Sequence, residues 1–288
     1  MKVLITGAGG QVGGLLMRMA PQGVDVIGFG RDRLDVSDAA AVRQCISREH
    51  PDVILNAAAY TAVDKAESEP ELARRVNTEG PRNLAAAARE CDARLIHLST
   101  DFVFDGRASR PYPPEAQTNP LGVYGRTKRD GEVAVLDALG DRSTIVRTAW
   151  VYGAKGANFL LTILRVLRER GTARVVADQV GTPTAAPSLA EVLWRIAVRP
   201  DIRGIHHWTD AGVASWYDFA VAIAEEGAQR GWFPRSATVT PITTEEYPTP
   251  ASRPSYSVLD KRSLAALGFP QVHWRERLRG VFAEMSHA

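Results

Sequence analysis

A short apolar run, Lys2-Val3-Leu4-Ile5-Thr6, stops in Gly7-Ala8-Gly9-Gly10-Gln11-Val12-Gly13, and a helical stripe of Val12, Leu15, Leu16 and Met19 follows at once. Read together, the patterns predict a buried strand, a tight turn and a helix over residues 11–20. The same alternation recurs downstream. Strands are predicted at 24–29, 52–56, 94–99 and 143–150, and helices at 81–89 and 122–139, with Pro81 suited to a first helical turn. Strands that alternate with helices build a parallel sheet covered on both faces. The expected class is therefore α/β, a doubly wound parallel sheet with a smaller, loop-rich C-terminal lobe.

The rhythm weakens after Trp150. A helix at 157–170, a strand at 174–177 and a helix at 188–198 still fit it, and Gly204-Ile205-His206-His207-Trp208 reads as the last strand of the sheet. From residue 214 onward Pro234, Pro241, Pro248, Pro250 and Pro254 interrupt any long element. The expected division is a nucleotide-binding unit over 1–150, with 174–213 returning to the same sheet. Residues 151–173 and 214–288 are expected to form a substrate lobe.

Bulk properties exclude several classes. With 288 residues and 45% hydrophobic content the chain can bury a real core. A net charge of +2 with charges spread along the sequence gives no nucleic-acid-binding stripe. No apolar run approaches the length of a membrane span, and the N-terminus enters a strand without a signal-peptide pattern. A cytoplasmic protein with neither nucleic acid nor membrane as partner is expected. Cys45 and Cys91 are far apart and read as buried free thiols. No histidine or cysteine spacing suits a metal, so none is expected.

The glycine turn sits where a dinucleotide pyrophosphate would meet a helix N-terminus. Its spacing, Gly7-x-x-Gly10-x-x-Gly13, departs from the commonest dinucleotide fingerprint. The second strand ends in Gly28-Phe29-Gly30-Arg31-Asp32. Arg31 suits the 2′-phosphate of NADPH, while Asp32 keeps NADH open. Ser99-Thr100-Asp101 closes the fourth strand, at the sheet edge where ligands bind in such folds. A hydroxyl there can stabilise charge on a carbonyl oxygen; Thr100 is the first choice and Ser99 the second. Tyr124 and Lys128 are four residues apart, one face of a helix. A cation beside a phenol favours the phenolate, so the pair can move a proton while a neighbouring group moves a hydride.

Taken together, the glycine turn, Thr100 and Tyr124-x-x-x-Lys128 resemble the extended short-chain dehydrogenases/reductases, a family with a Rossmann-like fold. Residues 56–67, 99–106, 147–152, 178–184 and 248–254 narrow this to a likeness with the dTDP-4-dehydrorhamnose reductases, over nearly the whole chain. The resemblance implies reduction of the C4 ketone of a dTDP-4-keto-6-deoxyhexose to dTDP-L-rhamnose by NADPH or NADH. The sequence leaves the oligomeric state open, with a homodimer among the options. It implies Tyr124 as proton donor, Lys128 as its partner and ribose contact, and Thr100 on the C4 oxygen. Gly10, Gln11 and Val12 would touch the pyrophosphate, Asp35 and Val36 the adenine, and Ala59, Tyr60 and Thr61 the rest of the cofactor. Thr100, Asp101, Trp150 and Arg253 would meet the sugar nucleotide, Arg253 at its diphosphate. Two residues depart from the family pattern: Phe102 replaces a usual tyrosine, and Tyr60 a common histidine. A nucleotide-sugar epimerase or dehydratase and a non-catalytic cofactor-binding subunit are the alternative readings.

Overall fold

The computed structural model describes residues 1–234 and 236–286. Strands β1 (Lys2–Thr6), β2 (Asp25–Phe29), β3 (Val53–Asn56), β4 (Arg94–Thr100) and β5 (Ser143–Thr148) form one parallel sheet with Gly204–His207. The spatial order is Gly204–His207, β5, β4, β3, β1, β2. The chain runs outward from β1 to β2, then returns across β1 to continue through β3. That reversal makes a switch point, and ligands bind beyond the carboxyl ends of strands at such a point.

Alternation along β1 explains the two covered faces. Val3 and Ile5 pack with Leu15 and Leu16 of α1 (Gln11–Arg18) and with the helix Ala186–Ala197. Leu4 turns the other way, against α2 (Ala39–Glu49), α5 (Gly80–Glu90) and α6 (Val123–Leu139). Helix α2 contains Cys45, whose segment reads as a helix in the sequence, though without bounds. The Asp38 side chain starts it by accepting from the N–H groups of Ala40 and Ala41, both at 3.0 Å. Between α2 and α5 lie the short α3 (Val63–Ser68) and α4 (Pro70–Arg74), then a π-helical turn at Arg75–Glu79.

The second half differs from expectation in two ways. The predicted strand at 174–177 forms at Thr172–Val176, but it pairs in parallel with Thr238–Ile242, outside the six-stranded sheet. Of residues 174–213, the helix Ala186–Ala197 and the strand Gly204–His207 rejoin the first unit. Second, the loop-rich C-terminal lobe has a helical core of its own. Helices Phe159–Arg170, Trp216–Gln229 and Trp274–Ser286 bury a core of their own around Phe219, Ile223 and Phe282. The first of these matches the helix expected at 157–170; the prolines concealed the other two, since Pro234 to Pro254 fall between them. No helix is long and apolar enough to cross a membrane among the described residues.

Candidate active site

The turn after β1 is shaped by close approach. Gly7 has φ +70°, and a Cβ on it would lie 2.6 Å from the Ala58 nitrogen. On Gly13 a Cβ would lie 2.1 Å from the Gly7 carbonyl oxygen. Gly13 therefore packs helix against turn and is not among the residues lining the cleft, contrary to its expected cofactor contact. Gly7, Gly10, Arg31, Asp35, Val36, Ala59 and Tyr60 line one part of a long cleft, about 510 Å³ in volume. Arg31 is exposed at its rim. Asp35 accepts from the Ser37 backbone at 2.9 Å, and that bond is the main cause holding its carboxyl below the usual range.

The π-helical turn supplies a support that the sequence did not reveal. Buried Asn77 accepts from the Tyr60 N–H at 2.8 Å and donates to the Tyr60 carbonyl at 3.0 Å. It fixes the backbone of the loop Ala59-Tyr60-Thr61. The Tyr60 hydroxyl points away, to Glu69 at 2.6 Å.

A second part of the cleft, also about 510 Å³, shares Gly10, Ala57 and Ala59 with the first. Gln11, Val12, Thr61, Ser99, Thr100, Asp101, Tyr124, Lys128, Trp150 and Arg253 all line it. Strand, helix and distant loop thus converge on one space. Tyr124 and Lys128 project from α6, whose start is held by Glu67 of α3. The Glu67 carboxylate accepts from the Val123 N–H at 2.7 Å, favourable at the positive end of a helix. Glu67 had been seen only as part of a similar segment.

Burial dominates the electrostatics. It pushes the Tyr124 phenol up to about 12, against the lowering effect of Thr100, although the residue as a whole keeps some exposure. It pulls Lys128 down to about 8. No direct hydrogen bond joins these two groups among the described residues. Lys128 Nζ donates instead to the Leu98 carbonyl at 2.6 Å and lies 3.4 Å from His97 Nε2. The phenol is thus a protonated donor at neutral pH. Asp101 is 2% exposed, and burial pushes its carboxyl up to about 6. Its Oδ1 accepts from the Thr100 hydroxyl at 3.0 Å. Its Oδ2 has no partner; the Ser257 hydroxyl nearby opposes the shift but does not reach hydrogen-bonding geometry. Ser99 Oγ and Thr148 Oγ1 are likewise buried without partners on the same wall. Phe102 meets the Tyr124 ring edge-on, with centroids 5.5 Å apart, in place of a hydroxyl.

Trp150 has a left-handed backbone, φ +47°, uncommon for a bulky side chain and of a kind found at ligand sites. Gly181 leaves room for its indole, since a Cβ there would lie 2.7 Å from it. The ring stacks on Trp216, a cleft residue from the C-terminal lobe that sequence reasoning missed. Arg253 lines the cleft, but its guanidinium is held by Asp64 at 3.0 and 2.8 Å, by the Thr249 hydroxyl and by the Ala251 carbonyl. Among the described residues no group of His, Cys, Asp or Glu is arranged to hold a metal.

Known proteins resemble the whole chain. The family model described as the RmlD substrate binding domain matches residues 1–287. A dTDP-4-dehydrorhamnose reductase of Streptomyces griseus is 44% identical, over 97% of this chain and 92% of its own. A crystal structure of a dTDP-4-dehydrorhamnose reductase from Clostridium acetobutylicum superposes with a TM-score of 0.93 at 41% identity, covering 99% and 100% of the two chains. One from Bacillus anthracis, in complex with NADP, gives a TM-score of 0.92 at 35% identity, over 98% and 99%.

Proposed function

The chain belongs to the RmlD substrate-binding-domain family, and on that premise we propose that it is a dTDP-4-dehydrorhamnose reductase. It is an NAD(P)H-dependent oxidoreductase that reduces the C4 ketone of dTDP-4-dehydro-6-deoxy-L-mannose, giving dTDP-L-rhamnose. The observation that carries this reading is the convergence of Thr100, Tyr124, Lys128 and Trp150 on one cleft continuous with the glycine turn.

The residues present fit a dinucleotide. The Gly7–Gly13 contact leaves a backbone cradle that a side chain would fill, and α1 starts at it with N–H groups free of side-chain caps. Gly10, Gln11 and Val12 would hold the pyrophosphate. Asp35 and Val36 would hold the adenine end, and Ala59, Tyr60 and Thr61 the far side. Arg31 would pair with a 2′-phosphate; equal loss of NADPH and NADH affinity in Arg31→Ala would remove it from the site. When bound, the reduced nicotinamide supplies the hydride.

This chain's residues handle the proton and the orientation. Tyr124, protonated at neutral pH, delivers its proton to the C4 oxygen as the carbon is reduced, and the phenolate then recovers a proton from solvent. In the free protein the Thr100 hydroxyl donates to Asp101 Oδ1; on substrate binding it turns that proton to the C4 oxygen and holds it. The positive charge of Lys128 favours the phenolate left behind and places the ribose. Trp150 presents a flat apolar face to the sugar. The substrate partner is a small dTDP-sugar; a cytoplasmic location and a homodimer belong to the same proposal, the latter to be checked by light scattering.

The test is to mix purified protein, NADPH and dTDP-4-dehydro-6-deoxy-L-mannose and follow absorbance. One NADPH consumed per sugar is expected. Sugar conversion without net NADPH loss would make the protein an epimerase, and no turnover with tight cofactor binding would make it a non-catalytic subunit.

A further inference from the structure

A buried polar row crosses the sheet beneath the cleft. Thr6, Asn56 and His97 are register partners on β1, β3 and β4. They are 1%, 2% and 0% exposed. The Thr6 hydroxyl donates to Asn56 Oδ1 at 2.7 Å, and the Ala58 backbone N–H donates to the same atom at 3.1 Å. A backbone N–H cannot accept, so the Ala58 contact fixes which end of the Asn56 amide is oxygen. The other end, Nδ2, faces His97 Nδ1 at 2.9 Å. An amide NH₂ only donates, so Nδ1 accepts and carries no proton. Burial, and secondarily the charge of Lys128, holds His97 well below its ordinary value, so the ring is neutral. A neutral ring with a bare Nδ1 carries its proton on Nε2.

That Nε2 lies 3.4 Å from Lys128 Nζ. An N–H has nothing to offer an ammonium, but it can donate to the lone pair of a neutral amine. We propose that His97 is a positioning residue, locked by Asn56 as the Nε2–H tautomer, which turns only a donor toward Lys128 and so favours the neutral amine there. The proposal rests on Lys128 serving the reduction described above.

Other groups around Lys128 sharpen the point. The Leu98 carbonyl of β4 accepts from Lys128 in either charge state. Glu132, one turn along α6, favours the ammonium. Its carboxylate is already engaged by Arg147 of β5, at 2.9 and 2.7 Å. Tyr124, one turn back on α6, is neutral, and the charge of Asp101 at the end of β4 bears on Tyr124. Burial and His97 therefore oppose the charge, and Lys128 changes state near pH 8. Since Lys128 must be charged to favour the phenolate, its titration sets the alkaline limb of the reaction.

The tautomer can be read without cofactor or substrate. In cofactor-free protein labelled with ¹⁵N-histidine, NMR is expected to show His97 with a bare Nδ1 and a protonated Nε2 across about pH 6 to 9. A protonated Nδ1 would overturn the proposal. Asn56→Asp offers Nδ1 an acceptor and should flip the tautomer, so that Nε2 accepts from the ammonium. The alkaline limb of kcat/KM is then expected to move up by about one pH unit, the size one net hydrogen bond supports. That variant also adds charge, so His97→Gln, which adds none and can turn its carbonyl to Lys128, should move the limb the same way. A purely structural role would lower activity at every pH and leave the limb in place; an unmoved limb in folded His97→Gln overturns the proposal even if Asn56→Asp does not fold. If the wild type reduces no dTDP-sugar, the functional reading falls, while the NMR result still decides the tautomer.

Discussion

The indole of Trp150 lies flat on that of Trp216, with ring centroids 3.6 Å apart and 7° between the planes. One ring follows β5 of the sheet unit and the other opens a helix of the C-terminal lobe, whose first turn is fixed by a capping box between Ser215 and Asp218. The stack ties the wall of the cleft to the second lobe and fixes the orientation of the Trp150 ring.

Trp216→Ala should therefore act on the sugar and not on the dinucleotide. An aromatic pair contributes about 0.5–1.5 kcal/mol beyond its buried area, so a rise of severalfold in the KM for dTDP-sugar is expected. NADPH affinity, measured by fluorescence titration, should stay constant. A parallel loss of both affinities would mean that the stack only holds the fold.

Tyr124→Phe removes one hydroxyl and keeps the ring. Reduction is expected to fall by about 10²–10⁴-fold, the range for loss of a general acid. Cofactor binding should persist, because the ring still packs edge-on against Phe102. Turnover at the wild-type rate would assign the proton to another group.

Asp101 makes stability depend on pH. Its carboxyl is raised from 3.8 to about 6 in the folded protein. The folded state therefore holds this proton more tightly than the unfolded chain does. The resulting stability is fully present below the unfolded value and is lost as pH rises through about 6. Asp101→Asn removes the ionisation and should stabilise the protein at neutral pH by about 1–3 kcal/mol, with the gain vanishing in acid. Denaturant unfolding at two pH values reads this directly; a gain of equal size at both would show that ionisation is not its source.

Arg253 and Asp64 separate two roles for one guanidinium. The pair joins the lobes at 2.8 Å with both side chains partly exposed, which limits what it adds to stability. Arg253→Ala should raise the KM for the dTDP-sugar and spare the cofactor, since a planar guanidinium suits a diphosphate. Asp64→Asn weakens the pair but keeps the cation, so its KM should stay near wild type. Equal damage from both substitutions would reduce Arg253 to a structural link.

Local pattern determined much of this protein. The strand–glycine turn–helix opening, the alternation that builds the parallel sheet, and the four-residue spacing of Tyr124 and Lys128 follow from periodicities that neighbouring residues carry themselves. The tertiary structure decided what depends on distant pairing. Thr172–Val176 has the sequence of a sheet strand, yet it pairs with Thr238–Ile242, more than sixty residues away, outside the main sheet. Trp216, Asn77 and Glu67 bear no local mark of the cleft; they matter because Trp150, Tyr60 and Val123 come to rest against them. Lys128 is the plainest case. Its spacing from Tyr124 was legible, but its Nζ donates to the Leu98 carbonyl and faces His97 Nε2 at 3.4 Å, because the fold brings β4 beneath α6 and desolvates the site. Burial is a property of the whole fold, and here it sets the proton chemistry that the motif alone left open.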